Sequence, residues 1–303
     1  MQRLTIIIVS CILFANIVLA QVVTSNIYLF DLKKVSDREF RFQNPRYLTA
    51  FNAKGYNNQP RFFNNSELYI TVQTPQDKQV DIYLLDLARR SKYKVTETTE
   101  SEYSPTLMPD LSNFSAIRVE ADGSQRLWQF PLDRLSDGKP VLKYETKVGY
   151  HHWLNSRRVA LFLVGEPNQL AIADVSTDQV RSIMSNVGRC FQTDPKTGNM
   201  AFVHKVTPRN WYIKQVNTYE TNTQSETVTT TLSGSEDFVI LSDGTYLMGS
   251  GSKLFKYHPS FDNEKGWREI ADFKFYGIRN ITRLAISNDN KLAIVNEERA
   301  GGF

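Results

Sequence analysis

The 303-residue chain has two cysteines, Cys11 and Cys190, and four histidines. Two cysteines make neither a disulfide framework nor a zinc cluster. Glycine is sparse too, at 15 residues, and its spacing excludes several chemistries. No two glycines stand four apart, so there is no Gly-x-Ser-x-Gly nucleophile elbow. Gly244 and Gly249 stand five apart, but no lysine follows Gly249, so there is no phosphate-binding P-loop. Gly249-Ser250-Gly251 runs on to Leu254, where a dinucleotide-binding loop needs a third glycine, and reads as a turn. No two aspartates stand two apart, which excludes an EF-hand-like calcium loop. Cys-x-x-Cys and His-Glu-x-x-His are absent as well. Charge of one sign is also lacking. Lys plus Arg number 36 against 32 for Asp plus Glu, a net charge of +4, so no nucleic-acid partner is expected.

What is present begins with a leader. Arg3 is the only charge among residues 1–20, and Leu4 to Ala20 is almost wholly apolar. A short positive region, an apolar stretch and the small residue Ala20 before Gln21 read as a secretory signal peptide over 1–20. Two other readings are a transmembrane anchor, for which seventeen residues is the short limit, and a lipoprotein signal at Cys11. Cleavage after Ala20 leaves Cys190 alone, read as a buried small hydrophobe. No later apolar run approaches membrane-spanning length. Hydrophobic residues make up 41% of the chain, enough for a core.

The remainder is β-like, with runs rich in Val, Ile, Thr, Tyr and Phe broken by Asn, Asp, Gly, Ser and Pro. One repeated word is a strand with an aromatic near its start and Asp near its end. Ile27-Tyr28-Leu29-Phe30-Asp31-Leu32 is nearly duplicated by Ile82-Tyr83-Leu84-Leu85-Asp86-Leu87. Weaker copies place the second position at 128, 171, 212 and 255, so that the spacings from Tyr28 onward are 55, 45, 43, 41 and 43. A second word is strand, polar turn, strand, as in Arg61-Phe62-Phe63, Asn64 to Glu67 and Leu68-Tyr69-Ile70. It recurs six times, with turns of Asn, Asp and Gly that tolerate positive φ. A period near 45 fits four short strands, one propeller blade; the competing architecture is a sandwich of generic hairpins. The N-terminal segment begins with a third and a fourth strand, while residues 281–297 supply a first pair. The expectation is an all-β, six-bladed β-propeller of four-stranded antiparallel blades. Its N- and C-terminal strands share one blade, and it forms a single domain over residues 21–303.

Asn58-Gln59-Pro60-Arg61-Phe62, Leu68-Tyr69-Ile70 and Ile82-Tyr83-Leu84-Leu85-Asp86 resemble the WD-repeat-like β-propeller repeat of the TolB family. Tyr103-Ser104-Pro105-Thr106-Leu107 with Pro109-Asp110 repeats the pattern. The resemblance covers residues 26–297. It implies a six-bladed periplasmic propeller that serves as a protein-binding hub in cell-envelope complexes, with a peptidoglycan-associated lipoprotein as the implied partner. TolB proteins also carry an N-terminal α/β domain; only six residues separate Ala20 from the first strand word here.

Candidate site residues come from the polar segments leading into each inner strand: Tyr56, Asn58, Glu102, Tyr103, His151, His152, Arg189, Asp237 and Arg279. Aromatics beside mixed charges suit a protein or peptide surface. His151 and His152 are the best lead for a metal, but adjacent strand side chains point to opposite faces. Sequons at Asn64, Asn113 and Asn280 fall in or beside turns. The expectation is a monomeric, exported, non-enzymatic protein-binding scaffold, periplasmic or secreted, without catalytic residues, metal or cofactor. Two alternatives are a propeller lyase or hydrolase using channel histidines and carboxylates, and a propeller that binds a small ligand or glycan.

Overall fold

The structure, a computed structural model, describes residues 23–219 and 224–298; the leader and Cys11 lie outside them. The chain opens with β1 (Ser25–Lys34) and β2 (Phe40–Tyr47). Blade one is β3 (Tyr56–Phe62), β4 (Glu67–Gln73), β5 (Asp81–Asp86) and β6 (Ser91–Lys94). Blade two is β7 (Ser101–Leu107), β8 (Asn113–Val119), β9 (Gln125–Pro131) and β10 (Lys139–Pro140). Blade three is β11 (Val148–Trp153), β12 (Arg158–Leu163), β13 (Gln169–Asp174) and β14 (Gln179–Ser185). Blade four is β15 (Val187–Thr193), β16 (Met200–Lys205), β17 (Trp211–Val216) and β18 (Ser225–Thr230). Blade five is β19 (Phe238–Ile240), β20 (Tyr246–Ser250), β21 (Lys253–Tyr257) and β22 (Arg268–Asp272). Then come β23 (Ile281–Ile286) and β24 (Lys291–Glu297).

Those last two strands complete blade six. Its order is β2-β1-β24-β23, with Tyr28 opposite Ile294 and Leu29 opposite Ala293. The N-terminal strand is thus sealed against the C-terminal one, which removes the open edge of an incomplete ring. Six four-stranded antiparallel sheets result, as the repeat spacing predicts.

The core lies between blades, in six clusters, one at each blade interface. Side-chain alternation explains why the second strands are continuously apolar. Along β12, Val159 and Leu161 pack toward blade two, while Ala160 and Phe162 pack toward blade four. Both faces of a blade are buried, so polar alternation disappears. Cys190 is buried between blades four and five with Phe238 and Tyr246. It is a free thiol that accepts a hydrogen bond from the Phe238 N–H at 3.4 Å.

The inner strands follow a different rule. Five of the six carry a register shift near the same depth: between Asn58 and Arg61, Tyr103 and Thr106, Val148 and Tyr150, Val187 and Phe191, and Ile281 and Arg283. A bulge adds one residue, bends the strand and re-aims the side chains beside it. In blades one and two the bulged residue is Gln59 (φ 53°) and Ser104 (φ 56°), each followed by proline. Proline has no N–H to leave unpaired at the break in the ladder. Gln59 also ties the two bulges together, its Oε1 accepting from Thr71 Oγ1 at 2.7 Å and from the Ser104 N–H at 2.9 Å.

Candidate functional site

The loops that run into the inner strands lie on one face of the ring, here the top face. Most sequence-predicted site residues stand in strands rather than in those loops. Tyr56 and Asn58 belong to β3, Glu102 and Tyr103 to β7, His151 and His152 to β11, and Arg189 to β15. Only Asp237 and Arg279 precede their strands. Inner strands face the channel and each other's polar ends, so their composition looks like loop although their backbone pairs as strand.

Burial separates these residues further. Glu102 is 0% exposed, and its Oε1 accepts from the Thr98 hydroxyl. Arg118 approaches Glu102 only to 4.0 Å, because its Nη2 is taken by Glu100 and its guanidinium lies 4.2 Å from the Trp128 ring centroid. Burial therefore pushes the Glu102 carboxyl up to about 7, against the pull of Thr98. Asn58 is buried as well.

The two histidines point to opposite faces of β11. His151 is buried, and its Nε2 lies 2.7 Å from Ser115 Oγ, which also accepts from Trp153 Nε1 at 2.8 Å. A doubly protonated ring would leave its Nδ1 proton without an acceptor. Burial, with Arg61 nearby, holds the ring down to about 3. His151 also lines the channel cavity, whereas His152 lies between Arg61 of blade one and Thr193 of blade four. Arg61 Nη2 lies 3.3 Å from its Nδ1, and arginine can only donate, so Nδ1 is the bare nitrogen. Nε2 then carries the proton and donates to Thr193 Oγ1 at 2.8 Å. Burial and the Arg61 charge keep His152 down to about 3. His204 stands on β16, and His258 packs on Phe261 with ring centroids 4.5 Å apart. Among the described residues no three His, Cys, Asp or Glu side chains converge as metal ligands.

What the inner strands bring together is a group of arginines. The channel narrows to a cavity of about 80 Å³ lined by residues of all six blades, including Gln59, Arg61, Thr106, Tyr150, Arg189, Asp237 and Arg283. Arg283 Nη2 donates to the Tyr150 hydroxyl at 2.7 Å, and its Nη1 stands 3.8 Å from Asp237 Oδ2. Burial would raise the Tyr150 phenol, but the Arg283 and Arg189 charges outweigh it and bring it below its usual value. For Asp237 burial wins over the same arginines, and its carboxyl sits above the usual range. Its Oδ1 accepts the Leu284 N–H at 2.8 Å, joining blade five to blade six. Glu236 is bridged by Lys205 Nζ at 2.7 Å and Arg189 Nε at 3.4 Å. Arg61 and Arg283 were not singled out with the site residues. Their recurrent position just after the inner-strand bulge was the available signal.

Arg189, Asp237 and Arg283 also line a second cavity of about 290 Å³ on the top face between blades five and six. Its walls are the loop before β19, the β20–β21 turn and the loop before β23. Gly251, at φ 59°, makes that two-residue turn possible. A third cavity, about 550 Å³, shares Gly251, Asn280 and Glu297 with it and extends to the exposed Arg279. The buried Asn296 organises this end, its Oδ1 accepting the N–H groups of Arg279 at 2.8 Å and Asn280 at 3.0 Å. Together the three form a groove from the rim at Arg279 to the channel at Arg283.

No protein-family model matches the chain. No curated protein matches its sequence. Solved structures do match. A putative TolB from Agrobacterium tumefaciens aligns with a TM-score of 0.63 at 12% identity, covering 92% of this chain and 99% of that one. TolB from Acinetobacter baumannii aligns at 0.57 and 12%, covering 91% of this chain and 64% of that one. An oligogalacturonate lyase from Vibrio parahaemolyticus aligns at 0.52 and 12%, covering 90% and 97%. At these identities the likeness is one of fold, and this chain is a TolB-like six-bladed β-propeller.

Proposed function

We propose that this protein is an exported, non-enzymatic β-propeller that binds a protein partner in the bacterial cell envelope through its top face. The observation that carries the reading is the groove between blades five and six. It is open at an exposed arginine and lined by loops, and its two outer cavities of about 290 and 550 Å³ share Gly251, Asn280 and Glu297. Two further points support it. The channel histidines are engaged in structural hydrogen bonds and held neutral, His151 at a blade interface and His152 between Arg61 and Thr193. The TolB resemblance implies a binding hub. Export rests on the leader of residues 1–20, and cleavage near Ala20 would release the propeller as one domain.

The test is affinity capture from bacterial envelope extract with the chain from Gln21 onward, beside an Arg279→Glu variant. Reversing a rim charge at an interface weakens recovery of a genuine partner by about tenfold. Equal recovery by both proteins, or no protein recovered by either, would count against the groove as the docking site.

A further inference from the structure

Resting on that reading of the groove, we infer that its inner end, where Arg283, Arg189 and Arg61 meet the channel, is a binding site for a peptide carboxylate. The charge balance there is uneven. Among the described residues, Arg61, Arg189, Lys205 and Arg283 stand against three carboxylates, Glu236, Asp237 and Glu297, and Glu297 makes no ion pair with any of the four. Glu236 is shared by Lys205 and Arg189, and Asp237 reaches Arg283 only at 3.8 Å. Among the described residues Arg61 has no carboxylate within ion-pair distance, and its side-chain hydrogen bond is to the neutral His152.

Burying a cation without a counter-charge is costly, and apolar residues of similar volume would fill these positions more stably. Arg283 is only 9% exposed, lines both the groove and the channel, and has an Nε–H with no acceptor among the described residues. A guanidinium with a free N–H edge is matched to a planar carboxylate, which takes two parallel hydrogen bonds from it. Neither histidine competes for the ligand, because both are neutral and already bonded. An unmodified polypeptide carries this one strong anionic group, at its C-terminus or on Asp and Glu.

The experiment titrates the chain from Gln21 onward by calorimetry with three probes at low salt. They are acetyl-glycyl-glycine with a free carboxylate, its C-terminal amide, and acetyl-glutamate amide. D-galacturonate and inorganic phosphate serve as competing anions. Binding of one or both peptide carboxylates is expected, with no heat from the neutral amide. Which of the two binds more tightly tells C-terminal from side-chain recognition. Affinity should fall by about tenfold in Arg283→Gln and again in Arg61→Gln, with circular dichroism confirming that each variant is folded. No binding of either peptide acid overturns the assignment, as does binding unchanged in both variants. Galacturonate or phosphate binding as tightly as the peptide acids would also overturn it. Capture of a partner without carboxylate binding sinks this site alone. Arg283-dependent carboxylate binding without a captured partner leaves the site and removes the envelope partner.

Discussion

Single residues in this propeller answer to their surroundings more than to their type. Glu102 is a charged residue at a fully buried position, and its carboxyl is pushed up to about 7 from the ordinary 4.5. Between those values the folded chain holds a proton that the unfolded chain has lost. Its contribution therefore favours the fold at low pH and fades as pH rises toward and through 7. Arg118 on β8, Thr98 and Thr96, and the Asp81 carboxylate are the groups that face it. Glu102→Gln should match the wild-type protein near pH 4.5. At pH 8 it should be more stable by on the order of 2 kcal/mol, read as the difference between urea denaturation curves at the two values. A constant difference across that range would show that Glu102 is ionised throughout. His151 and His152 act with the opposite sign. With folded values near 3 they favour the fold above the ordinary 6.5 and lose that contribution as pH falls toward 3. Both are present in the Gln variant, so the comparison isolates Glu102. None of these environments was legible in sequence, because burial of a polar residue depends on which blade lies against it.

Among the elements, the second and third strands were readable throughout, and the inner strands only at their far ends, as at Arg61-Phe62 and Leu284-Ala285-Ile286. Leu68-Tyr69-Ile70 and Ile82-Tyr83-Leu84-Leu85 are apolar because each blade is covered on both faces, and that leaves a mark in composition. The first halves of the inner strands, such as Tyr56 to Gln59, are polar and run into a bulge, so they read as loops. The outer strands are weaker still, and in blade two β10 is only Lys139–Pro140. Gly249 on β20 shows how closely neighbouring blades approach. A Cβ there would stand 2.3 Å from Ile281 Cγ2 and 2.7 Å from Ile281 Cβ. Gly249→Ala should therefore cost about 1–3 kcal/mol by forcing blades five and six apart. Chemical denaturation would show it as a lower midpoint at unchanged slope, and an unchanged midpoint would mean that the interface yields freely. The same displacement would open the wall of the groove, so peptide-acid affinity should fall together with stability.

For the whole molecule, closure is the organising fact. Deleting residues 281–303 removes β23 and β24, which supply Leu284, Leu292 and Ile294 to one interface and Ala293 and Val295 to the next. It would leave β1 with an open edge and two cores exposed. The loss should exceed the roughly 5–15 kcal/mol by which a domain is stable, so the truncated chain should show no cooperative thermal transition by circular dichroism. Retention of the full-length melting temperature would mean that the ring does not depend on the shared blade. The blade count, the antiparallel pairing and the shared sixth blade were determined by the sequence alone. They follow from local periodicity: a strand word every 41 to 55 residues and the order of words at the two ends. The groove and the arginine channel were decided only by tertiary structure. Arg61, Arg189 and Arg283 lie in three different blades, far apart in the chain, and meet because six inner strands, five of them bulged, converge on one axis. Periodicity along a chain records which face of a strand is buried, whereas a site assembled around an axis depends on where the ring closes.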